Sequence, residues 1–157
     1  MKVRKSYFLL LVVAVALLTT SCRKGCIVPF ADNYDPKAKD SDGSCIYSAD
    51  HVIYFDYDVS RALLNHGIEV IVVKTQNTAH YVVHNVTDWA PEADVNNPRC
   101  IVLKETLMRQ PTKSDYVTIT DVQGHILWDF SIKFSAGFTE TTELLWTADK
   151  SVAQTNY

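Results

Sequence analysis

Strict alternation of apolar and polar side chains in the second half of the chain constrains its fold most strongly. In residues 125–134 (HILWDFSIKF), one side carries Ile126, Trp128, Phe130, Ile132 and Phe134, and the other carries Leu127, Asp129, Ser131 and Lys133. A period of two predicts a β-strand with one face on a core. Residues 116–122 predict a preceding strand, and Gln123-Gly124 predicts a tight hairpin turn in which glycine adopts positive φ.

The same reasoning predicts a chain made almost entirely of short strands. Further strands are expected at 52–59, 68–75, 80–86, 101–107 and 142–147, with a short helical turn at 60–67. This spacing predicts an all-β domain over residues 50–157, a single antiparallel β-sandwich of immunoglobulin-like architecture, with a small barrel as the alternative. The chain lacks the Cys-Trp-Cys pattern of a true immunoglobulin domain, so the sequence leaves the topology open.

The amino terminus predicts export. Three basic residues (Lys2, Arg4, Lys5) precede the uninterrupted apolar run 7–18 and the small polar residues that follow it. A spanning helix needs roughly 20 apolar residues, so this run is too short to be one. Residues 1–21 therefore form a predicted signal peptide.

Residues 18–22 (LTTSC) resemble the lipobox of bacterial lipoproteins, in the looser form found in Bacteroidetes. The resemblance implies a thioether from Cys22 to diacylglycerol, cleavage before Cys22, and an acyl anchor in the outer membrane. Two or more acyl chains hold a protein stably on a bilayer, whereas one chain holds it weakly. An ordinary signal peptide, with Cys22 incidental, is the alternative.

The charge of the mature chain argues against polyanionic partners. Three of the 15 basic residues and none of the 18 acidic residues lie in the leader, so cleavage leaves 12 against 18 and a net charge of −6. Nucleic acids are bound through clustered lysine and arginine. We therefore expect no nucleic-acid partner.

The cysteines of an exported protein are expected to pair. If Cys22 takes the lipid, the sequence-local partner of Cys26 is Cys45, and their bridge closes a loop of about 20 residues worth about 3 kcal/mol. Cys100 is left over. It precedes the apolar run 101–103 and is expected to be a buried, inert thiol.

Residues 22–48 are expected to form the lipid anchor and a cysteine-bounded loop. The loop resembles a short element (GC, AxNYDP, DGSC) of secreted and surface Bacteroidetes proteins, through these residues: Gly25, Cys26, Ala31, Asn33, Tyr34, Asp35, Pro36, Ala38, Asp42, Gly43, Ser44 and Cys45. The Asp-Pro and Asp-Gly pairs within it favour turns.

The same loop raises the question of a calcium site. Aligned on an EF-hand, Asp40 and Asp42 fall on ligand positions, but Ala38 and Ala49 replace the first and last ligands. An irregular Ca²⁺ site from Asp32, Asp35, Asp40 and Asp42 is the alternative to a solvated turn surface.

Other candidate chemistry is sparse. His80 and His84 would suit zinc on a helix, but a strand separates them by roughly 13 Å, so no zinc site is expected. Asp56 and Asp58 are expected on the solvated face of an edge strand. No nucleophile or phosphate-binding motif is present, and we predict neither enzymatic activity nor a cofactor.

The three tryptophans have different expected roles. Trp128 and Trp146 are predicted to face the core. Trp89 lies in the predicted loop 87–94, where it is expected either to fold over a sheet edge or to form a platform for a sugar or a protein hot spot.

These features lead to three functional hypotheses. The first is a non-catalytic, lipid-anchored envelope protein that binds or supports another envelope protein. The second is a cell-surface glycan-binding module, and the third is an adhesin fragment stabilised by calcium. Surface lipoproteins of Bacteroidetes often carry acidic residues after the lipidated cysteine. Here Arg23 and Lys24 follow it, which favours the periplasmic face.

Overall fold

The computed structural model describes residues 23–146 in full and the backbone of residues 151–156. The predicted signal peptide and Cys22 lie outside the described residues. Within the described part, no helix is long and apolar enough to cross a membrane.

The described chain contains one short helix and ten strands. In chain order they are β1 (Lys24–Gly25), β2 (Asp40–Ser41), β3 (Ile46–Tyr54), α1 (Tyr57–Asn65), β4 (Val70–Thr75), β5 (Tyr81–Asn85), β6 (Ile101–Met108), β7 (Thr112–Thr120), β8 (Ile126–Ser135), β9 (Thr139–Trp146) and β10 (Ser151–Asn156). Each of the seven predicted strands overlaps one of the longer observed strands.

Two four-stranded sheets build the sandwich, which confirms the predicted all-β fold. One sheet has the order β10-β9-β3-β6 and the other has the order β5-β4-β7-β8. Every pairing in them is antiparallel except that of β3 with β9, which is parallel. Parallel neighbours need a long connection, and the chain between β3 and β9 runs through the whole of the second sheet.

The core lies between the two sheets. Trp128, Ile132 and Phe134 of β8 are buried, as their alternation predicts. Ile126 does not follow them, since it is 64% exposed. The register of β7 and β8 shifts so that Ile119 pairs with Trp128 while Thr120 pairs with Ile126. A bulge at this point interrupts the alternation of side chains, so Ile126 does not point toward the core as Trp128 does.

The hairpin between β7 and β8 confirms the predicted turn and extends it. Gly124 has φ +92°, as the turn requires. The connection is longer than two residues, because the Asp121 N–H donates to the His125 carbonyl at 3.0 Å and the Gly124 N–H donates to the Asp121 carbonyl at 3.2 Å.

The predicted strand 52–59 is wrong at both ends. β3 begins at Ile46 and stops at Tyr54, because Asp56 caps α1 by accepting a hydrogen bond from the Val59 N–H at 2.9 Å. Val59 and Leu63 of that helix are buried, one turn apart. Asp56 and Asp58 therefore lie at a helix start and do not share a strand face, which corrects the sequence prediction.

The cysteine-bounded loop packs directly on the sandwich. β3 begins at the residue after Cys45, and Cys26, Ala31 and Cys45 belong to the same buried cluster as the core of the sheets. The loop is thus a folded extension of the domain and not a free spacer.

Candidate functional site

The predicted disulfide between Cys26 and Cys45 is present, with their Cα atoms 4.8 Å apart. Cys100 is a free, buried thiol, as predicted. Its Sγ lies 3.6 Å from the Glu92 carbonyl, and it packs with Val52 and Ala90 on the outer side of β3.

Asn33 clamps the two halves of the loop together. Its amide donates to the Ser44 carbonyl at 2.7 Å and accepts from the Ile46 N–H at 2.8 Å, so one side chain joins the loop to the start of β3. Gly25 allows a close approach, since an added Cβ would lie 3.3 Å from the Ala38 Cβ. Asn33 and Gly25 therefore both have structural roles in the loop.

The four aspartates considered for calcium have local partners. Asp35 pairs with the Arg23 Nε at 2.7 Å and accepts from the Lys37 N–H at 2.9 Å. Asp32 accepts from the Ser48 hydroxyl at 2.8 Å. Asp42 accepts from the Ser44 N–H at 2.9 Å, and hydrogen bonding from Ser44 lowers the pKa of its carboxyl.

Asp40, the fourth of these residues, also makes an interaction within the molecule. Among residues 23–146, no group of three or more histidine, cysteine or acidic side chains is arranged to hold a metal ion.

The two histidines considered for zinc lie at β5 and have separate partners. The His80 Nε2–H donates to the Lys104 carbonyl at 2.9 Å, and the His84 Nε2–H donates to the Asp88 carbonyl at 2.8 Å. His84 is 8% exposed and packs edge to face against Phe55, with ring centres 5.8 Å apart. The His84 side chain lies on the same face of the sheet as the buried residues of the neighbouring strand β4.

Trp89 forms a surface that the sequence only partly predicted. Its ring is half-buried against the core and meets the Tyr57 ring edge to face at 5.5 Å. Tyr57 is 53% exposed, and the Arg61 guanidinium lies 5.9 Å from its ring centre. We call Tyr57, Arg61 and Trp89 the aromatic surface. Trp128 is buried as predicted, and Trp146 is half-buried and packs against it at 5.7 Å.

A second candidate site lies where the loop meets one end of the sandwich. This end cleft has a volume of about 700 Å³ and apolar walls from Phe30, Pro111 and Phe138. Phe30 and Phe138 are 57% and 71% exposed. Ligand pockets commonly have volumes of about 300–1,000 Å³.

Buried polar groups lie beside those walls. Lys133, Ser135 and Glu140 also line the end cleft. Glu140 is 9% exposed, and its charge acts on the neighbouring His51. The Ser135 hydroxyl is buried and has no hydrogen-bond partner within the described residues. A buried hydroxyl left unsatisfied in this way is uncommon in folded proteins.

His51 of β3 is the register partner of Glu140 in β9 and is fully buried. Its Nδ1 is 3.0 Å from the Lys133 carbonyl and its Nε2 is 2.8 Å from the Thr142 hydroxyl. A carbonyl only accepts, so the neutral ring carries its proton on Nδ1. Burial lowers the pKa of His51, opposed by the hydrogen bond to Lys133 and by the Glu140 charge.

The serine, histidine and acid at this cleft do not form a catalytic triad. Both His51 nitrogens are engaged by Lys133 and Thr142, so neither is available to take a proton from Ser135. The arrangement suits binding of a ligand better than nucleophilic chemistry.

Sequence reasoning missed the end cleft because its residues come from distant segments. The predicted strand 142–147 began after Glu140, although the alternation of Glu140, Thr142 and Leu144 continues the buried face of β9. A glutamate in phase with core residues was the available signal. Comparison of the chain with protein-family models, with curated protein sequences and with solved structures found no match.

Proposed function

We propose that this protein is a non-catalytic, lipid-anchored lipoprotein of a Bacteroidetes-type outer membrane that binds another envelope protein through the aromatic surface. The observation that carries the binding proposal is the grouping of Tyr57, Arg61 and Trp89 at one exposed site.

Tyrosine, tryptophan and arginine are the residue types most enriched at protein hot spots. Here they are held in place before any partner binds. Trp89 packs against the core, Tyr57 leans on Trp89, and α1 carries both Tyr57 and Arg61. Such preorganisation reduces the entropy lost on association.

The anchoring proposal is supported by the position of Arg23. Its Nε pairs with Asp35, and its carbonyl accepts from the Lys39 N–H at 2.9 Å. A lipid on Cys22 would lie one residue, about 3.8 Å of chain, from a residue held by the folded loop. The loop and sandwich would then stand close to the bilayer with no flexible tether.

Anchoring is tested by fractionating cells that make the wild type or Cys22→Ser. We expect the wild type in the membrane fraction and the variant released from it. Protease digestion of intact and lysed cells then assigns the membrane face. Protection until lysis supports the periplasmic face, and digestion on intact cells assigns the outer surface.

Protein binding is tested by replacing Tyr57 with photoreactive benzoylphenylalanine in living cells. We expect one discrete protein adduct, lost when Trp89→Ala is added. The same replacement at Tyr81, which is 63% exposed on β5, is the matched control and should give no such adduct.

The glycan-binding alternative predicts a different result. Under that hypothesis, Tyr57 gives no protein adduct, and the wild type is retained on a polysaccharide gel from which Trp89→Ala elutes freely. That pair of results would contradict the protein-binding proposal.

A further inference from the structure

The end cleft carries two opposite charges and one unpaired hydroxyl next to aromatic walls. Glu140 and Lys133 both line it, and the two side chains do not form an ion pair with each other. The Ser135 hydroxyl is the one buried side-chain polar atom without a hydrogen-bond partner in the described part of the protein.

These charges are held on strands that His51 joins. Glu140 of β9 is the register partner of His51 in β3. Lys133 of β8 offers its carbonyl to the same histidine at 3.0 Å. Both residues are thus anchored beside one buried ring, Lys133 through its backbone carbonyl and Glu140 through its strand register, and the ring itself has no free nitrogen for a ligand.

A buried carboxylate is costly unless a cation or hydrogen-bond donors compensate its charge. An ammonium group entering the cleft would supply both a positive charge for Glu140 and a donor for the Ser135 oxygen. Lys133 disfavours a simple cation in the same space, because like charges repel. A carboxylate on the same ligand would attract Lys133, so a ligand that carries both charges suits the cleft better than a simple cation.

The aromatic walls of the end cleft indicate the chemistry of the uncharged part of the ligand. Phe30 comes from the stapled loop and Phe138 from the turn between β8 and β9, and both rings are more than half exposed. An apolar body between them would bury surface that now faces water. The volume of about 700 Å³ leaves room for a ligand larger than a single methyl or hydroxyl group.

We propose that the end cleft binds a small apolar zwitterion, of which an aromatic α-amino acid is the simplest example. Its ammonium pairs with Glu140 and Ser135, its carboxylate pairs with Lys133, and its side chain lies between Phe30 and Phe138.

The test measures binding to the purified protein by calorimetry and by the shift in melting temperature. The probes are L-phenylalanine, phenethylamine, which lacks the carboxylate, and 3-phenylpropionate, which lacks the amine. We expect L-phenylalanine to bind, and each analogue to bind roughly tenfold or more weakly, because each loses one charged pair.

Variants assign the contacts. Glu140→Gln should weaken the binding of L-phenylalanine and phenethylamine. Lys133→Met should instead weaken the binding of L-phenylalanine and 3-phenylpropionate. Glu69→Gln, an exposed acid outside the cleft, is the control and should change nothing. Phe138→Ala should weaken all three probes, with Met108→Ala, 73% exposed at the end of β6, as its control.

Several outcomes would overturn the proposal. One is the absence of binding to folded wild type. A second is equal affinity for L-phenylalanine and one of its two analogues, which would show that one charged group is not recognised. A third is an unchanged affinity in Glu140→Gln and Lys133→Met. Because the measurement needs neither a membrane nor a protein partner, its result is independent of the function proposed above.

Discussion

His51 and Glu140 are direct register partners across the parallel strands β3 and β9, so a buried imidazole lies beside a buried carboxylate. The histidine is held neutral, since burial lowers its pKa more than the neighbouring charge raises it. This pair places a titratable group inside the sandwich, next to a residue that lines the end cleft.

Lowering the pH should destabilise the protein through His51. Its pKa in the folded state lies below the ordinary value of 6.5, so the unfolded chain takes up the proton first as the pH falls. The stability that the neutral ring contributes is present above pH 6.5 and is lost progressively below it. Urea unfolding at pH 8 and pH 5 measures this loss.

The control for this prediction is His51→Gln, which keeps hydrogen-bonding groups and does not titrate. It should be less stable at pH 8 and show a smaller loss between pH 8 and pH 5. The pKa values of three carboxyls, Asp42, Asp115 and Asp121, are lowered from the ordinary value of 3.8. The stability that these carboxylates contribute is therefore lost only at lower pH. An equal loss in wild type and variant would contradict the role of His51.

Asp115 should be a strong stabilising residue of the second sheet. Its carboxylate accepts from the N–H groups of Asn77 and Thr78 at 2.8 Å each and from the Thr78 hydroxyl, which fixes the loop between β4 and β5. Asp115→Ala should cost about 2 kcal/mol or more, because three donors lose their one buried, charged acceptor. Denaturant titration measures the loss.

Asp115→Asn is the matched variant, since it keeps one acceptor oxygen. Burial raises the pKa of Asp115, but the hydrogen bonds from Thr78, Asn77 and Tyr116 outweigh burial and lower it overall. The free energy of unfolding of Asp115→Asn should therefore lie between that of the wild type and that of Asp115→Ala. Equal stability of wild type and Asp115→Ala would refute this role.

Removing the disulfide should loosen the loop without dissolving the sandwich. Cys26→Ala with Cys45→Ala should lower the free energy of unfolding by about 3 kcal/mol in the chain-entropy description. Hydrogen exchange should rise first in the loop, where Asn33 and the buried Ala31 hold the remaining contacts.

A reductant provides the control for that experiment. It should lower the melting temperature of the wild type and leave the double variant unchanged, because Cys100 has no partner to release. A shift of equal size in both proteins would show that the loss does not come from the Cys26–Cys45 bridge.

The tryptophans should differ in their contribution to stability. Trp128 is 2% exposed and its Nε1–H donates to the Leu145 carbonyl at 3.0 Å, so Trp128→Ala should cost about 3–5 kcal/mol. Trp89→Ala should cost clearly less, because its ring is half-buried. Thermal and urea unfolding of the two variants make the comparison.

A double-mutant cycle tests the contact within the aromatic surface. Tyr57→Ala and Trp89→Ala should be coupled by about 0.5–1.5 kcal/mol, the usual range for an edge-to-face pair. Tyr81→Ala combined with Trp89→Ala is the control pair and should be additive. Additivity of both pairs would contradict the contact between Tyr57 and Trp89.

The sequence predicted the elements of this fold that depend on neighbouring residues. The alternation in β8 predicted a strand and its buried Trp128, and Gly124 predicted the hairpin. Cys26 and Cys45 are close in sequence, which predicted their bridge. Asp56 with Val59 and Leu63 contained a helix signal that was outweighed by the apolar run before it.

The end cleft was decided by tertiary structure alone. Phe30 comes from the loop, Ser135 from the end of β8 and Glu140 from β9, and they meet because β9 returns beside β3 in parallel. Local sequence patterns carry the period of a strand but not the identity of its neighbour. The pairing is set by how the two sheets bury their apolar faces together, which is a property of the whole chain.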